Sequence, residues 1–462
     1  MIWTVVGAIF SFALPAFGGW MIVSTTWPCG PKILRASLGT GLGLGVAGML
    51  WMLGLLISGS AMAGLAASDG VLITLTALLW TRRARIERRV VAPPPGRFSK
   101  LQIGAAAGIV LTLLFAAASL GLMAYISHHG DFDAFAIWNT RARFFYLAAK
   151  PLDLLPDLTS PDYPLLLPSL VARGWQYSHQ DTVIIPLSLA VFFTAGSIVL
   201  LCGLRSVTSS SAAPLAGAIL AGTPFFIMQG MSQYADIVMC FFITSAVTVF
   251  CVSDFAGEGE SGYLPLLSGL FAGFAACTKN EGTLVVVSMI AARSCMILWN
   301  RRWKIEGIRM GLFLAGLAPG FLALTVFRRV APVPSVLFAN ITAATIRTRI
   351  IDGARHSSIL AGYWRDLLHF GNWWINPLVL LLLYVVIRRG LKSAPRFTTA
   401  WRFPGLLVVI MLCGYYFVYL FSPYAVVWHV QSSFSRLLVQ LWPSALLFWA
   451  FLVTPEAQVD AS

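Results

Sequence analysis

The chain has 462 residues, 58% of them hydrophobic and 11% charged, with a mean hydropathy of +0.80. That composition excludes a water-soluble enzyme, a disordered chain and a collagen-like fibre, and marks an all-α, polytopic integral membrane protein. The 32 Lys and Arg outnumber the 18 Asp and Glu, for a formal charge of +14, which in a membrane chain reads as an orientation signal and not as a nucleic-acid partner.

Thirteen apolar stretches approach the roughly 20 residues needed to cross about 30 Å of hydrocarbon. They cover residues 2–23, 36–58, 61–80, 101–126, 182–203, 211–229, 236–253, 263–278, 282–299, 309–328, 374–388, 402–421 and 437–454. The first lacks a basic leader and is followed by Lys32 and Arg35, so an uncleaved helix with Met1 outside is expected. An odd number of crossings then puts the C-terminus inside. The inner segments collect Arg82, Arg83, Arg85, Arg88, Arg89, Arg97 and Lys100, then Arg205, then Arg301, Arg302, Lys304 and Arg309, then Arg388, Arg389, Lys392, Arg396 and Arg402. Arg293 falls within a span and is expected to snorkel inward. The acidic turn at Asp254, Glu258 and Glu260 is an anomaly on that side. The seven cysteines lie in or beside apolar stretches with no paired spacing, so neither a disulfide framework nor a zinc cluster is implied.

Three regions follow: an N-terminal three-helix module with a basic loop at 1–100, a core at 101–328 whose first external loop is 127–181, and a second external loop with the last helices at 329–462. Acids gather outside at Asp131, Asp133, Asp153, Asp157, Asp162, Asp181, Asp236, Glu281, Asp352 and Asp366. Carboxylates hardly influence insertion, so this bias needs another cause, and a reaction surface supplies one.

Residues 130–146, GDFDAFAIWNTRARFFY, enter the first external loop directly after a span. An interfacial helix is expected over 133–149, with Phe135, Trp138, Phe145 and Ala149 on one side. A carboxylate fixed there can accept a hydroxyl proton, and acids two apart also suit a divalent cation; a helix start near the dipole is the plainer explanation. Residues 160–170, SPDYPLLLPSL, are punctuated by Pro161, Pro164 and Pro168 and read as a broken segment too short to span. Asp236 in YADI fits a helix cap equally well. Lys279 and Glu281 in TKNEG are either a solvated turn pair or, for the lysine, a point charge for a lipid phosphate. In WHVQSSFSRLLVQLWP, residues 428–443, His429 and Arg436 are seven apart and share a face if the stretch is helical. Two other signals are discounted. The glycine run 39–48 lies inside an apolar span and reads as close helix packing, and Asn340-Ile341-Thr342 is a formal glycosylation site only.

Taken in order, DAFAIWNTRARFF, YPLLLP, YADI, TKNEG and the WH…S…R…LWP ending resemble the GT-C superfamily of membrane glycosyltransferases, over about residues 101–445. The resemblance is particularly to the bacterial branch related to protein O-mannosyltransferases and the lipid A aminoarabinose transferase. The resemblance implies transfer of a sugar, usually with inversion, from a polyprenyl-phosphate donor to a lipid, glycan or protein acceptor outside the cytoplasmic membrane. It casts Asp133 as catalytic base with Asp131 beside it, and Asp236 as the second acid. Lys279 and Arg436, with His429, are cast to hold the donor phosphate, and Glu281, Asp162, Tyr163 and Trp138 to contact substrate. If a divalent metal takes part, Asp131, Asp133 and Asp236 are its candidate ligands. The first loop reads Asp131-Phe132-Asp133 where protein O-mannosyltransferases have an adjacent Asp-Glu pair, and Pro161-Asp162-Tyr163 stands where many relatives have His-Pro-Pro. A multi-span transporter or lipid-linked sugar flippase is the rival, motivated by the mid-span Asp69, and a scaffold whose loops bind a partner is the third reading.

Overall fold

The protein is described by a computed structural model over residues 2–83, 100–208, 210–255, 262–333, 335, 341–390 and 400–454. Arg85, Arg88, Arg89, Arg97, Glu258, Glu260, Asn340, Lys392 and Arg396 lie outside the described residues. In chain order the helices are α1 (Ile2–Thr26), α2 (Lys32–Ser58), α3 (Ala61–Arg83), α4 (Lys100–Ile126), α5 (Asn139–Leu147), α6 (Leu166–Ser178), α7 (Ile184–Gly203), α8 (Arg205–Thr208), α9 (Ala212–Ala221), α10 (Pro224–Met231), α11 (Ala235–Phe255), α12 (Leu264–Thr278), α13 (Glu281–Asn300), α14 (Trp303–Val330), α15 (Ala343–Ile351), α16 (Gly353–Leu368), α17 (Pro377–Gly390), α18 (Arg402–Phe421) and α19 (Val426–Val453).

Among the described residues ten helices are long and apolar enough to cross a membrane, or up to twelve spans if each of two bent pairs counts as one. One pair sits where the sequence predicts a straight span, and the other joins the end of the second external loop to the span predicted at 374–388. Thr223-Pro224 breaks the 211–229 stretch into α9 and α10, inclined at 62°. Upstream of α17 the chain turns through 87° from α16, at Gly371 and Asn372, both with positive φ. The 263–278 stretch is α12, at 15 residues a short apolar helix. All-helical, multi-pass architecture is therefore established, with fewer full-length crossings than thirteen.

α11 is buried along its whole length and is the axis of the bundle. Backbone-to-backbone contact builds the N-terminal unit of α1, α2 and α3. A Cβ on Gly19 would lie 2.0 Å from the Gly39 carbonyl oxygen, and one on Gly43 1.7 Å from that of Pro15, so the glycine run is a helix contact surface.

The first external loop folds differently from expectation. A π-helical turn, Ala134–Trp138, precedes α5 and advances the register, so the buried face is Trp138, Arg141, Ala142 and Phe145 while Phe135 and Ala149 stay exposed. α6 packs inside the bundle and is buried from Leu166 to Trp175.

Two charged residues placed in spans are paired. Asp69 accepts from Arg173 Nη2 at 2.6 Å and from the Tyr177 hydroxyl at 2.7 Å, while Arg173 Nη1 donates to Ser11 O at 2.7 Å. This mid-span acid, the main motive for a transporter, ties α3 and α6 to α1. Arg293 does not snorkel: it is 1% exposed, bonded to Asp254 at 2.7 and 2.9 Å and 3.4 Å from Glu306, with Arg309 completing the network at 3.2 Å from Asp254 and 3.0 Å from Glu306. The anomalous acid Asp254 is thereby accounted for, because it neutralises arginines held in a low-dielectric interior.

Asp69→Ala is expected to destabilise the detergent-solubilised protein by about 3–5 kcal/mol, because Arg173 is left as an uncompensated buried charge. Adding Arg173→Leu should restore much of the loss. Thermal unfolding of the single and double variants checks this, and an unchanged midpoint for the single variant would contradict it.

Candidate active site

At the end of α11 opposite Asp254, Asp236 lies in the first turn and is fully buried. The 18 residues between these two acids correspond to about 27 Å of helix, close to one hydrocarbon thickness. A carboxylate so placed costs several kcal/mol unless it is paired and hydrogen-bonded. Lys279 Nζ is 3.1 Å from its Oδ1, Gln440 Nε2 donates to the same oxygen, and Arg436 Nη2 lies 2.6 Å from Oδ2.

Each partner is delivered by a local feature of the chain. α12 ends early, and its extended C-cap, Lys279, drops below the level of a full-length span, where it is 4% exposed. Lys279 also pairs with Glu281 at 3.0 Å and sits 5.8 Å above the Tyr163 ring. Burial works against its charge, but Asp236 and Glu281 outweigh that and hold its pKa above the usual lysine value. Arg436 is ten residues into α19, so the first turns of that helix rise above it as a wall. Its guanidinium lies over the Tyr234 ring at 4.6 Å.

The same Arg436 Nη2 is 2.7 Å from Asp133 Oδ2. One guanidinium nitrogen thus joins the first external loop to the core acid. Asp133 caps the π-helical turn, a geometry that recurs at functional sites. The loop is held in place by Asn139 donating to Gln233 Oε1 at 3.0 Å, by Gln233 Nε2 donating to His128 O at 2.9 Å, and by the Asp131 N–H donating to Ser232 O at 3.1 Å. Gln233 adopts a positive φ of 58° to do so. Trp138 stacks on Tyr163, with centroids 5.5 Å apart and planes within 4°. Buried Arg141 donates to the carbonyls of Tyr163, at 3.1 Å, Thr159, at 2.7 Å, and Ser160, which sets the height of that stack. Asp162 is fixed from the other side by Asn280 Nδ2 at 2.9 Å.

Asp133, Asp236, Lys279, Glu281, Arg436, Trp138, Tyr163 and Asp162 are therefore linked by contact through this network. Asp131 stands at the rim: it is exposed, and its Oδ1 accepts from the Phe132 N–H at 2.7 Å. His429 is not among the partners of Asp236. It sits two helical turns from Arg436, about 10 Å along α19, among Tyr419, Tyr424 and Trp428. Four side chains of this set hold buried polar atoms without a partner: Trp138 Nε1, Glu281 Oε2, His429 Nδ1 and Arg436 Nε. Buried polar atoms are normally satisfied, so these four are open to a further polar partner.

Gln440, Asn280, Tyr234 and Arg141 escape the sequence reading. Gln440 had a signal, being a lone amide in an apolar stretch four residues after Arg436 and so on the same helical face. Tyr415 and Arg141 act through contacts that no spacing reveals; the Tyr415 hydroxyl donates to Gln440 Oε1 at 3.4 Å, turning its amide nitrogen toward Asp236.

As a metal site the cluster fits poorly. Both oxygens of Asp236 are taken by cations and an amide, Asp133 Oδ2 faces Arg436, and among the described residues no group of three His, Cys, Asp or Glu gathers that could hold an ion.

The described residues thus form a multi-pass helical bundle with a recessed knot of carboxylates and cations at one end. Residues 164–327 match the family described as dolichyl-phosphate-mannose-protein mannosyltransferase. That segment, about a third of the chain, is thus similar to a family of GT-C membrane glycosyltransferases that use a sugar donor carried on a polyprenyl phosphate. The matched segment contains Asp236, Lys279 and Glu281, while Asp133 and Arg436 flank it. No curated protein and no solved structure matches the chain.

Arg141→Ala should free the 159–163 turn and unstack Tyr163 from Trp138. Limited proteolysis is expected to cut between residues 150 and 165 at least tenfold faster than in the wild type, since three charge-assisted bonds, each contributing about 1.5–3 kcal/mol, are lost. An unchanged cleavage rate would show that the turn is held by something else.

Proposed function

We propose that the protein is an inverting glycosyltransferase, moving a sugar from a polyprenyl-phosphate donor to an acceptor on the external face of the cytoplasmic membrane, in the modification of cell-envelope glycans or glycolipids. The observation that carries this reading is the sharing of Arg436 Nη2 between Asp133 and Asp236. It puts a loop carboxylate beside a guanidinium whose Nε is still unpartnered, so a base and a phosphate clamp lie side by side.

In this mechanism the acceptor hydroxyl attacks the anomeric carbon from the face opposite the lipid phosphate. Asp133 takes the hydroxyl proton as the new glycosidic bond forms. The bond to the phosphate oxygen breaks, and the lipid phosphate leaves with the electron pair. Lys279 and Arg436 receive the charge that grows on that oxygen, an interaction stronger in the transition state than in the ground state. A phosphate is already an anion, so no acid is required to protonate it, unlike the leaving group in glycoside hydrolysis. Asp236 keeps both cations aimed, His429 and Glu281 line the approach, and Tyr163, backed by buried Trp138, stands beside Lys279. Asp131 at the rim and Asp162 behind the stack are left for the acceptor.

The external placement draws support from charge. Arg301, Arg302, Lys304, Arg309 and Arg402 sit at the Asp254 end, in short segments where the positive-inside rule acts. Two arginines at the site end have local employment: Arg355 donates to the carbonyls of Leu420 and Tyr419, each at 2.8 Å, and of Ser422 at 2.6 Å, and Arg349 to that of Phe421, closing the C-terminus of α18.

Asp133→Asn is expected to lower kcat by about 10²–10⁴-fold, with donor KM little changed, since general-base catalysis contributes that much. Lys279→Gln should instead lower kcat/KM for the donor by about 10–100-fold, the worth of one charge-assisted hydrogen bond. Release of polyprenyl phosphate by purified protein, together with mass spectrometry of envelope glycans in complemented cells, measures both. Wild-type turnover by Asp133→Asn would remove that residue from the mechanism.

A further inference from the structure

At the opposite end of the bundle a cavity of about 380 Å³ opens between α13, α18 and α19. Met296, Trp299, Leu406, Val409 and Phe448 line it, and Arg402 stands at its mouth. Trp299 is 18 residues beyond Glu281, about 27 Å along α13, so this mouth belongs to the membrane surface away from Asp133. From Arg402 to Val409 the slot descends about 10 Å into the hydrocarbon. Its narrowness depends on Gly405, where a Cβ would come within 2.9 Å of the Phe448 ring.

Arg402 is held in an unusual electrostatic position. Its guanidinium lies 4.8 Å from the Trp299 ring and 5.7 Å from the Trp401 ring, and it makes no ion pair with a carboxylate among the described residues. It is also the first residue of α18, a helix with no side-chain cap, so it adds positive charge where the helix dipole is already positive. A cation pinned by two indoles at a membrane surface, against the local field and above an apolar slot, is complementary to an anion carrying an alkyl chain. The slot also touches the buried ionic network: Arg293 Nη1 is 3.8 Å from Met296 Sδ, and its guanidinium lies 5.1 Å from the Phe403 ring.

We propose that this slot holds one anionic glycerophospholipid of the leaflet opposite the acid–cation site, its phosphate on Arg402 and an acyl chain along Leu406, Val409 and Phe448. The occupant bears on the assembly of the bundle and not on the sugar chemistry.

Native mass spectrometry of the purified full chain, titrated with palmitoyl-oleoyl phosphatidylglycerol or phosphatidylcholine, tests it. The wild type is expected to retain one phosphatidylglycerol at concentrations where phosphatidylcholine is not retained. Arg402→Gln should weaken that retention by about tenfold, the equivalent of one charge-assisted bond. Val409→Trp, which fills the slot and leaves Arg402 in place, should weaken it as much. Equal retention of the two lipids by the wild type, undiminished phosphatidylglycerol in either variant, or its displacement by equimolar polyprenyl phosphate would overturn the assignment. The readout is lipid retention, so neither result depends on whether sugar transfer follows the scheme above.

Discussion

The organisation of the protein turns on one buried carboxylate. Asp236, at the head of an enclosed helix, cannot remain ionised there alone, and the chain answers by drawing Lys279 and Arg436 to it from helices far apart in sequence. Much of the surrounding architecture follows from that demand. α12 must end early so that Lys279 can reach down, and α19 must run past the site so that Arg436 and Gln440 can approach Asp236 from one face. The first external loop is then docked through the remaining capacity of the same guanidinium. Removing the acid would leave two cations facing each other in a water-poor interior.

The same solution appears at the far end of α11. There Asp254 collects Arg293 and Arg309, with Glu306 as the second anion. The two clusters differ in what they leave over. Around Asp254 every carboxylate meets an arginine and the packing is closed by Phe250 and Phe403 against Arg293. Around Asp236, Glu281 Oε2 and Arg436 Nε have no partner. Each cluster keeps one arginine Nε without a partner, Arg293 at one end and Arg436 at the other, so the difference lies in the carboxylates, of which Glu281 alone holds a buried oxygen left over.

Much of this was legible in the sequence, because a bilayer imposes simple rules. Apolar length locates the spans, and acids placed at their ends stand out against a background with few charges. Asp133, Asp236, Lys279 and Arg436, singled out on those grounds and by their order along the chain, are brought together by the fold. What stayed hidden depends on geometry that has no sequence period. A π turn slips the register after Asp133, so the face predicted to hold Phe135 and Ala149 holds Arg141 instead. His429 shares a helical face with Arg436, as seven-residue spacing requires, yet rise along the axis carries it beyond the reach of Asp236. Arg293 looked like a snorkelling residue because its partners, Asp254 and Glu306, come from neighbouring helices and not from its own.

Arg436 also imposes an order on the reaction it is assigned. One nitrogen is shared between two carboxylates, so any anion that engages it competes with Asp133 for the same charge. A donor phosphate arriving at Lys279 and Arg436 would weaken the hold on Asp133, whereas Asp236, fully buried and bonded also to Lys279 and Gln440, would keep its place. The loop acid is thus the exchangeable partner and the core acid the fixed one. Binding of the donor would release the base at the moment when an acceptor has something to attack, and an empty site would keep that base paired. The exposure of the two residues agrees with this division, since the Asp133 side chain is 20% accessible and Asp236 is sealed. Coupling of this kind needs no moving domain; it needs only that two acids of unequal burial draw on a single guanidinium.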